Sequence, residues 1–255
     1  MERIARKPFQ GISNIIRFNW HFYVIALILL TILLSTLNYL PSSLHTASII
    51  FLLLTIAGML VSLAVSWYVY DHAGLYSLSW LDKLPVASGK QLVNINAGFD
   101  ETSLLLQQKY PGADLLVFDF YDPALHTEIS IERARKAYPA YPGTKTINTA
   151  NVPLNAGSVD YIFLILAAHE IRNEKERIEF FRQLGTALNT GGKIIVVEHQ
   201  RDLANFIAYT IGFFHFFSPA AWKRTFSKAG LTIETMFKLT PFISTFVLTK
   251  NGSTP

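Results

Sequence analysis

The sequence predicts an α/β domain: a mostly parallel sheet with helices on both faces, ended by an antiparallel hairpin and preceded by two membrane-spanning helices. Three observations predict it. Residues 18–70 contain no Asp, Glu, Lys or Arg. Beyond them, strand-like and helix-like segments alternate, as in a parallel sheet covered on both faces. The last two segments, 231–239 and 242–250, read as strands separated only by Thr240-Pro241, which leaves no room for a crossover helix.

Composition supports the division. Of the 255 residues, 51% are hydrophobic and 16% charged, below the roughly 25% charge of a soluble domain. Such a chain is too apolar to be mainly disordered. It has no cysteine, which excludes disulfides, thiolate metal sites and a Cys nucleophile. The net charge is +4, but all but four of the 22 basic residues and all but one of the 18 acidic residues lie beyond Tyr70. The larger part is therefore nearly neutral and has no basic run, so nucleic acid is not expected as a partner.

The N-terminal elements come first. Residues 1–17 form a basic segment, followed by spans at about 18–40 and 48–70 that meet at Pro41-Ser42-Ser43. Each approaches the roughly 20 residues needed to cross a bilayer. Trp20, Phe22, Tyr23, Tyr39, Trp67, Tyr68 and Tyr70 stand at their ends as an aromatic belt. A secretory signal would be shorter and end at a cleavage site rather than a second span. Arg3, Arg6, Lys7 and Arg17 precede the first span and no basic residue lies between the two. The N-terminus and everything after Asp71 are thus expected on the cytoplasmic side of a bacterial inner membrane. Gly58, Ser62 and Ser66, with Thr31 and Ser35, put small side chains on helix faces and suggest close packing of the hairpin. A juxtamembrane segment, 71–84, is expected to lie near the interface through Tyr76, Trp80 and Leu81.

The domain proper is read as 85–255. Strands are expected at 91–96, 114–120, 144–149, 159–166 and 193–198. Helices are expected at 100–110, 122–137 and behind Asn173, where Glu176 completes a capping box. That last helix buries Ile178, Phe181, Leu184 and Leu188. In open parallel sheets ligands bind beyond the carboxyl ends of the strands, where strand order reverses. The run Asn94-Ile95-Asn96-Ala97-Gly98 ends one strand at a helix start, and Asp119 ends the next strand. That Gly allows close backbone approach to a ligand, and that carboxylate can accept both hydroxyls of a ribose.

With these residues the chain resembles the class I S-adenosylmethionine-dependent methyltransferases over about residues 80–250. Asn94 to Asp100 aligns with the family's acidic-x-G-x-G-x-G motif, keeping only the middle glycine, Gly98. Residues 147–160 match the stretch G-D-A-x-x-L-P-F-x-x-x-S-F-D through Pro153, Ser158 and Asp160. LNTGGKIIVVE, 188–198, is similar to the family's L-x-P-G-G turn and fifth strand, and Ala229-Gly230-Leu231 to its A-G-F approach to the sixth. The resemblance implies a Rossmann-like seven-stranded sheet and S-adenosyl-L-methionine as cofactor. Asn96, Ala97 and Gly98 would pass under the methionine moiety. Asp119 would hold the ribose, Phe120 would lie against adenine, and Asn148 and Thr149 would face its edge. Asn94, Asn148 and Asp100 depart from the family pattern.

After the fourth strand, where the family places its acceptor, stands Ala167-Ala168-His169-Glu170. His169 is the candidate general base, since an imidazole titrates near working pH, with Glu170 beside it. Glu198 and His199, after the fifth strand, are a second pair on the same rim. No metal is expected, because His and carboxylates form no tight cluster at ligand spacing along the chain. Residues 202–218 are an apolar, aromatic-rich insertion, broken by Gly212, His215 and Ser218-Pro219. We expect it to be an interfacial helix or lid facing lipid or an oily substrate, with Phe213 and His215 on the substrate side. The expected activity is methylation of a lipophilic small molecule or lipid-linked acceptor, by O- or C-transfer. The alternative is a degenerate methyltransferase-like module that scaffolds partners in the membrane. A nucleotide-dependent reductase lacks its G-x-G-x-x-G run here.

Overall fold

A computed structural model describes residues 6–83, 89–126 and 128–252. Glu2, Arg3, Thr127 and the expected 84/85 domain boundary lie outside the described residues. Helix α1, Gln10–Thr36, and helix α2, Ser42–Trp67, are both long and apolar enough to cross a membrane, and the apolar window of each is wholly unburied by protein. The second helix starts earlier than residue 48, because Pro41 sits at its N-cap and Ser42 already turns into it. Between them, Leu37–Tyr39 form a 3-10 turn.

The first helix extends well before residue 18. It kinks at Asn19, whose φ and ψ are −113° and 16° and whose side-chain amide donates to the Ile15 carbonyl at 3.1 Å. A side chain inserted into the helical ladder is a recognised cause of a kink. Before the kink, Gly11, Asn14 and Phe18 are buried on one face. Asp71, just after α2, accepts from the backbone N–H of Gly11 at 2.7 Å and of Ile12 at 2.9 Å. A carboxylate there satisfies orphan donors and suits the positive end of the helix dipole. Gly11 is required at this contact, since a Cβ would lie 2.5 Å from Tyr70 Cβ.

Seven strands form one sheet: β1 Gln91–Asn96, β2 Asp114–Asp119, β3 Lys145–Thr146, β4 Val159–Ile165, β5 Leu188–His199, β6 Leu231–Thr240 and β7 Ile243–Lys250. Their order is β3-β2-β1-β4-β5-β7-β6. The pairs from β3 to β5 are parallel, and β7 runs antiparallel to both β5 and β6. The order reverses between β1 and β4, which puts the switch point at the end of β1. Helices α3 Ser103–Lys109, α4 Ile129–Ala137, α5 Glu174–Ala187, α6 Leu203–Tyr209 and α7 Pro219–Lys228 complete the fold. One face of the sheet buries Phe180, Phe181, Leu184, Trp222 and Phe226 from α5 and α7. The other is covered by Val69, Leu75, Leu78 and Leu81 together with Leu106 of α3.

Several expectations are corrected. The segment after Asp71 packs on the sheet: Leu81 is fully buried there, and the Trp80 indole donates to the Leu75 carbonyl at 2.9 Å. It occupies the place of a covering helix. Helix α4 begins at Ile129 rather than 122, because Asp122 is spent on a turn: its carboxylate accepts from Ala124 N and its own N–H donates to His126 Nδ1. Helix α3 begins at Ser103, with Asp100 Oδ1 accepting from Thr102 N and Ser103 N at 2.9 Å each. The third strand is only Lys145–Thr146. Asn173 caps α5 as expected, but Glu176 accepts from the Thr149 hydroxyl instead of closing the box. Gly58 faces Thr210, 3.7 Å from a notional Cβ, so the small-residue face of α2 receives the apolar insertion.

Candidate functional site

Two groups of side chains converge at the carboxyl ends of the parallel strands. The first surrounds the switch point. Gly98 has φ 95°, left-handed backbone that favours glycine. Its N–H donates to Asn96 Oδ1 at 3.1 Å, which leaves the buried Asn96 Nδ2 without a partner among the described residues. Asp100 Oδ2 is likewise buried and unpaired. Asn94, in place of an acidic residue, donates to Thr102 Oγ1 at 3.0 Å and Ser103 Oγ at 2.8 Å, and so holds α3 against β1.

Asp119, 5% exposed, accepts from Tyr121 N at 2.9 Å through Oδ1 and pairs with Arg135 through Oδ2. Arg135 lies 4.4 Å over the Tyr121 ring, and a Cβ on Gly98 would meet both side chains, at 2.9 Å for Tyr121 and 3.1 Å for Arg135. These two side chains therefore cover the glycine turn. A cavity of about 560 Å³ opens directly outside, lined by Tyr121, Pro123, His126, Glu128, Glu132, Arg135 and Lys136.

A nucleoside with an amino-acid arm fits this donor set: a strand-end carboxylate, a glycine turn beneath the Tyr121 and Arg135 side chains and two orphaned polar atoms beside it. Arg135 must first release Asp119 Oδ2, and its half-exposed side chain has solvent to swing into. We expect Arg135→Ala to tighten S-adenosylhomocysteine binding up to about fivefold, the value of a partly exposed ion pair. Calorimetric titration checks this.

Three cofactor expectations are placed differently. Phe120 turns into the core against Phe180 and His126, with ring centroids 5.7 Å away in each case, so Tyr121 is the ring on Asp119's side of the strand. Asn148 is exposed and its side chain caps Ala150 N. Thr149 is buried and tied to Glu176 at 2.6 Å.

The second group lies at the ends of β4 and β5. Leu166, with φ 55°, turns the chain out of β4 in left-handed backbone, a strain of order 1 kcal/mol or more for a non-glycine residue. The turn delivers His169 and Glu170. Glu198, fully buried at the end of β5, accepts from His169 N at 3.1 Å and from His169 Nδ1 at 2.7 Å. His169 Nε2 faces Glu170 Oε1 at 3.2 Å. His215 joins from the apolar insertion: its Nε2 is 3.5 Å from the same Glu170 oxygen, and its Nδ1 is 3.0 Å from Glu128 Oε1. Arg172 Nη1 donates to the carbonyls of both His169 and His215 and ties the two segments together. Sequence reasoning placed His169, Glu170, Glu198 and His199 on one rim and His215 on the substrate side of the insertion, but missed Glu128, which lies 41 residues before His169 in the chain.

The electrostatics follow from this arrangement. Burial disfavours charge on His169, but Glu198 and Glu170 outweigh it and hold the imidazole well above its ordinary pKa. Burial pushes Glu170 up, and its hydrogen bonds to His169 and His215 pull it far below the usual carboxylate range. His215 is opposed by burial and raised by Glu128 and Glu170. In this state His169 is charged, with a carboxylate on each nitrogen.

His199 points the other way. Its Nδ1 lies 3.0 Å from Asn205 Oδ1 and 3.1 Å from the Phe242 carbonyl, and its Nε2 lies 2.9 Å from the Tyr70 hydroxyl. A carbonyl only accepts, so Nδ1 carries the proton and Nε2 accepts from Tyr70. Burial holds this imidazole neutral, with its pKa lowered to about 4. His199 thus bolts β5 to the end of α2, away from the His169 cluster. Phe213 lies in the 3-10 segment Thr210–His215 and packs on Phe206 and Phe214.

The first group also meets the N-terminal helix. Glu101, beside the glycine turn, pairs with Arg6 at 2.7 Å and accepts from the Tyr76 hydroxyl at 2.8 Å. Asn14 accepts from the Tyr138 hydroxyl at 2.9 Å, and Phe18 packs edge-on to Phe99 at 5.7 Å. The turns of α1 before its kink therefore wall the switch point, which no sequence signal indicated.

No family model and no curated protein matches the chain. Solved structures do share its fold. One is a protein of Pyrococcus horikoshii, 13% identical, with a TM-score of 0.52 over 69% of this chain and 89% of that one. Another is an O-methyltransferase family 2 protein from Planctomyces limnophilus in complex with apigenin, 14% identical, with a TM-score of 0.51 over 76% of this chain and 61% of that one. A third is the geranyl diphosphate C-methyltransferase of Streptomyces coelicolor, with Mg2+, geranyl diphosphate and S-adenosyl-L-homocysteine, 12% identical, with a TM-score of 0.50 over 70% and 78%. The seven-stranded sheet with its antiparallel C-terminal hairpin is the methyltransferase fold.

Proposed function

We propose that the protein is a membrane-anchored methyltransferase that uses S-adenosyl-L-methionine to methylate a lipophilic acceptor. The observation that carries this reading is the shared rim. The glycine turn with Asp119 and the His169–Glu170 cluster both stand at the carboxyl ends of the strands, and Glu128 and Arg135 connect them along one cavity. S-adenosyl-L-methionine supplies an electrophilic methyl group on a sulfonium. Asp119 holds the ribose, Gly98 lets the backbone approach the amino-acid arm, and Asn96 and Asp100 offer it unpaired polar atoms.

At the other end, Glu198 orients His169, and the His169–Glu170 pair draws the proton from an acceptor hydroxyl or acidic carbon. Alignment of acceptor and methyl does the remainder. Because both nitrogens of His169 are protonated when Glu170 sits against it, the pair accepts the acceptor's proton only after the Nε2 proton of His169 has left to solvent. His169→Ala is expected to lower kcat by about a hundredfold and leave S-adenosylhomocysteine affinity unchanged. Initial rates with paired calorimetry test it, and an unchanged rate removes His169 from the chemistry.

The membrane reading rests on α1, α2 and the insertion between β5 and α7. Thr210 lies beside Gly58, nine residues before the end of α2 at Trp67, which is about 14 Å along the helix. Leu203, Phe206, Ile207, Ile211 and Phe214 are exposed there. An apolar element at that depth is suited to lipid, and it ends at His215 in the acceptor cluster. A greasy acceptor thus has a path from the bilayer to the rim. The similar folds with bound apigenin and geranyl diphosphate accord with an aromatic or isoprenoid acceptor. Arg6, Lys7 and Arg17 before the first span put the N-terminus and the domain in the cytoplasm.

A further inference from the structure

We infer that His169, Glu170 and His215 form a binding site for a first-row divalent transition-metal ion, facing the acceptor. Their donor atoms come from the turn after β4 and from the apolar insertion, and all lie within 4.8 Å of one another. Nε2 of His169 and Nε2 of His215 are 3.2 and 3.5 Å from one oxygen, Glu170 Oε1. Two ligands bonded at about 2.1 Å to one ion stand roughly 3.0 Å apart at a right angle and 3.4 Å at a tetrahedral angle. These two spacings are those of ligands around one ion, and the two imidazole donors also lie within 4.8 Å of each other. The imidazoles cross at 83° with centroids 4.9 Å apart, edge to face.

A second set of contacts supports the same assignment. Metal-bound imidazoles donate their other N–H to a carboxylate, which fixes the ring and raises its basicity. Both rings have that partner here: Glu198 at His169 Nδ1, 2.7 Å, and Glu128 at His215 Nδ1, 3.0 Å. Three carboxylates around two imidazoles also leave the site short of positive charge.

Two imidazoles and one carboxylate with open positions suit Mn, Fe, Co or Zn rather than the all-oxygen coordination of Ca or Mg. The chain has no cysteine to compete for the ion, and this is the one such group among the described residues. Glu128, the partner of His215 Nδ1, lines the cavity beside the cluster. An acceptor oxygen bound at an open position loses its proton to solvent more readily, because the cation stabilises the resulting anion, so the bound ion takes over the part of the His169–Glu170 pair, whose lone pairs it occupies. This deepens the reading of the cluster as the acceptor end of a methyltransferase and rests on it.

The test uses the full chain in detergent, without a polyhistidine tag, stripped with chelator and titrated with Co2+ by calorimetry and visible absorption. One Co2+ per chain is expected, with d–d bands of a nitrogen–oxygen site. Glu170→Gln and His215→Ala should each weaken binding tenfold or more, and Glu198→Gln about tenfold. His72→Ala should leave it unchanged. No Co2+ binding by the wild-type chain, or equal binding by both ligand variants, overturns the site. S-adenosylhomocysteine titrated into the same samples reports whether each variant is folded. Cofactor binding without Co2+ removes the metal alone, whereas Co2+ binding without cofactor affinity removes the methyltransferase reading alone.

Discussion

Asp119→Ala is expected to abolish S-adenosylhomocysteine binding, with micromolar affinity in the wild-type chain weakened at least a hundredfold. The carboxylate stands at the end of β2, 5% exposed, and its Oδ2 is the acceptor a ribose diol needs. Hydrogen bonds to a charged group contribute about 1.5–3 kcal/mol each, and two are lost together. Arg135 is also left without its partner beside the Tyr121 ring. Asp119→Asn keeps one acceptor and should bind in between. Calorimetry on the detergent-solubilised chain reads all three, and normal binding by Asp119→Ala would place the cofactor elsewhere.

Glu198→Ala is expected to lower folding stability by about 3–5 kcal/mol, the range for breaking a buried ion pair from one side. Glu198 is fully buried and makes two hydrogen bonds to His169, one to the backbone and one to the ring. Its loss leaves two donors unsatisfied, a void and an imidazole facing a single carboxylate. Glu198→Gln keeps the volume and one acceptor and should lose less. Thermal unfolding of the chain reads the difference. An unchanged midpoint in Glu198→Ala would mean that the cluster is solvated rather than buried.

What could be read in advance divides along physical lines. The sheet was legible because strand periodicity, the β-α alternation and the Thr240-Pro241 turn are local signals. Asp119 and Gly98 were legible for the same reason, since each stands at or just beyond the end of a strand, which places it at a rim. The helix predicted from 122 failed because Asp122-Pro123 serves a helix start and a tight turn equally well. His126 Nδ1 settled it by taking the Asp122 N–H. Which of Phe120 and Tyr121 shares a side with Asp119 could not be read until the strand's pleat was known.

The acceptor cluster was legible in parts. His169 and Glu170 follow a strand end. His215 reaches them only by the fold of the insertion, and Glu128 only by the position of α4. No metal was expected from spacing along the chain, a measure that does not see side chains brought together from two separate segments. His199 was read as a rim residue because it follows Glu198, but successive strand residues face opposite ways. Its partners, Tyr70, Asn205 and Phe242, belong to the anchor side. The docking of α1 on Glu101 had no sequence signal at all, because single long-range polar contacts leave no periodic trace.

The central claim is that a cofactor-gripping sheet methylates a lipophilic molecule at the membrane that holds it. Membranes containing the protein, given S-adenosyl-L-methionine labelled in its methyl group, test it most directly. Label should enter the organic-solvent extract with the wild-type chain and stay out of it with Asp119→Ala. An extract that remains unlabelled with a wild-type chain that nevertheless binds S-adenosylhomocysteine would contradict a lipophilic acceptor. If that chain fails to bind the cofactor as well, the membrane scaffold is the better description.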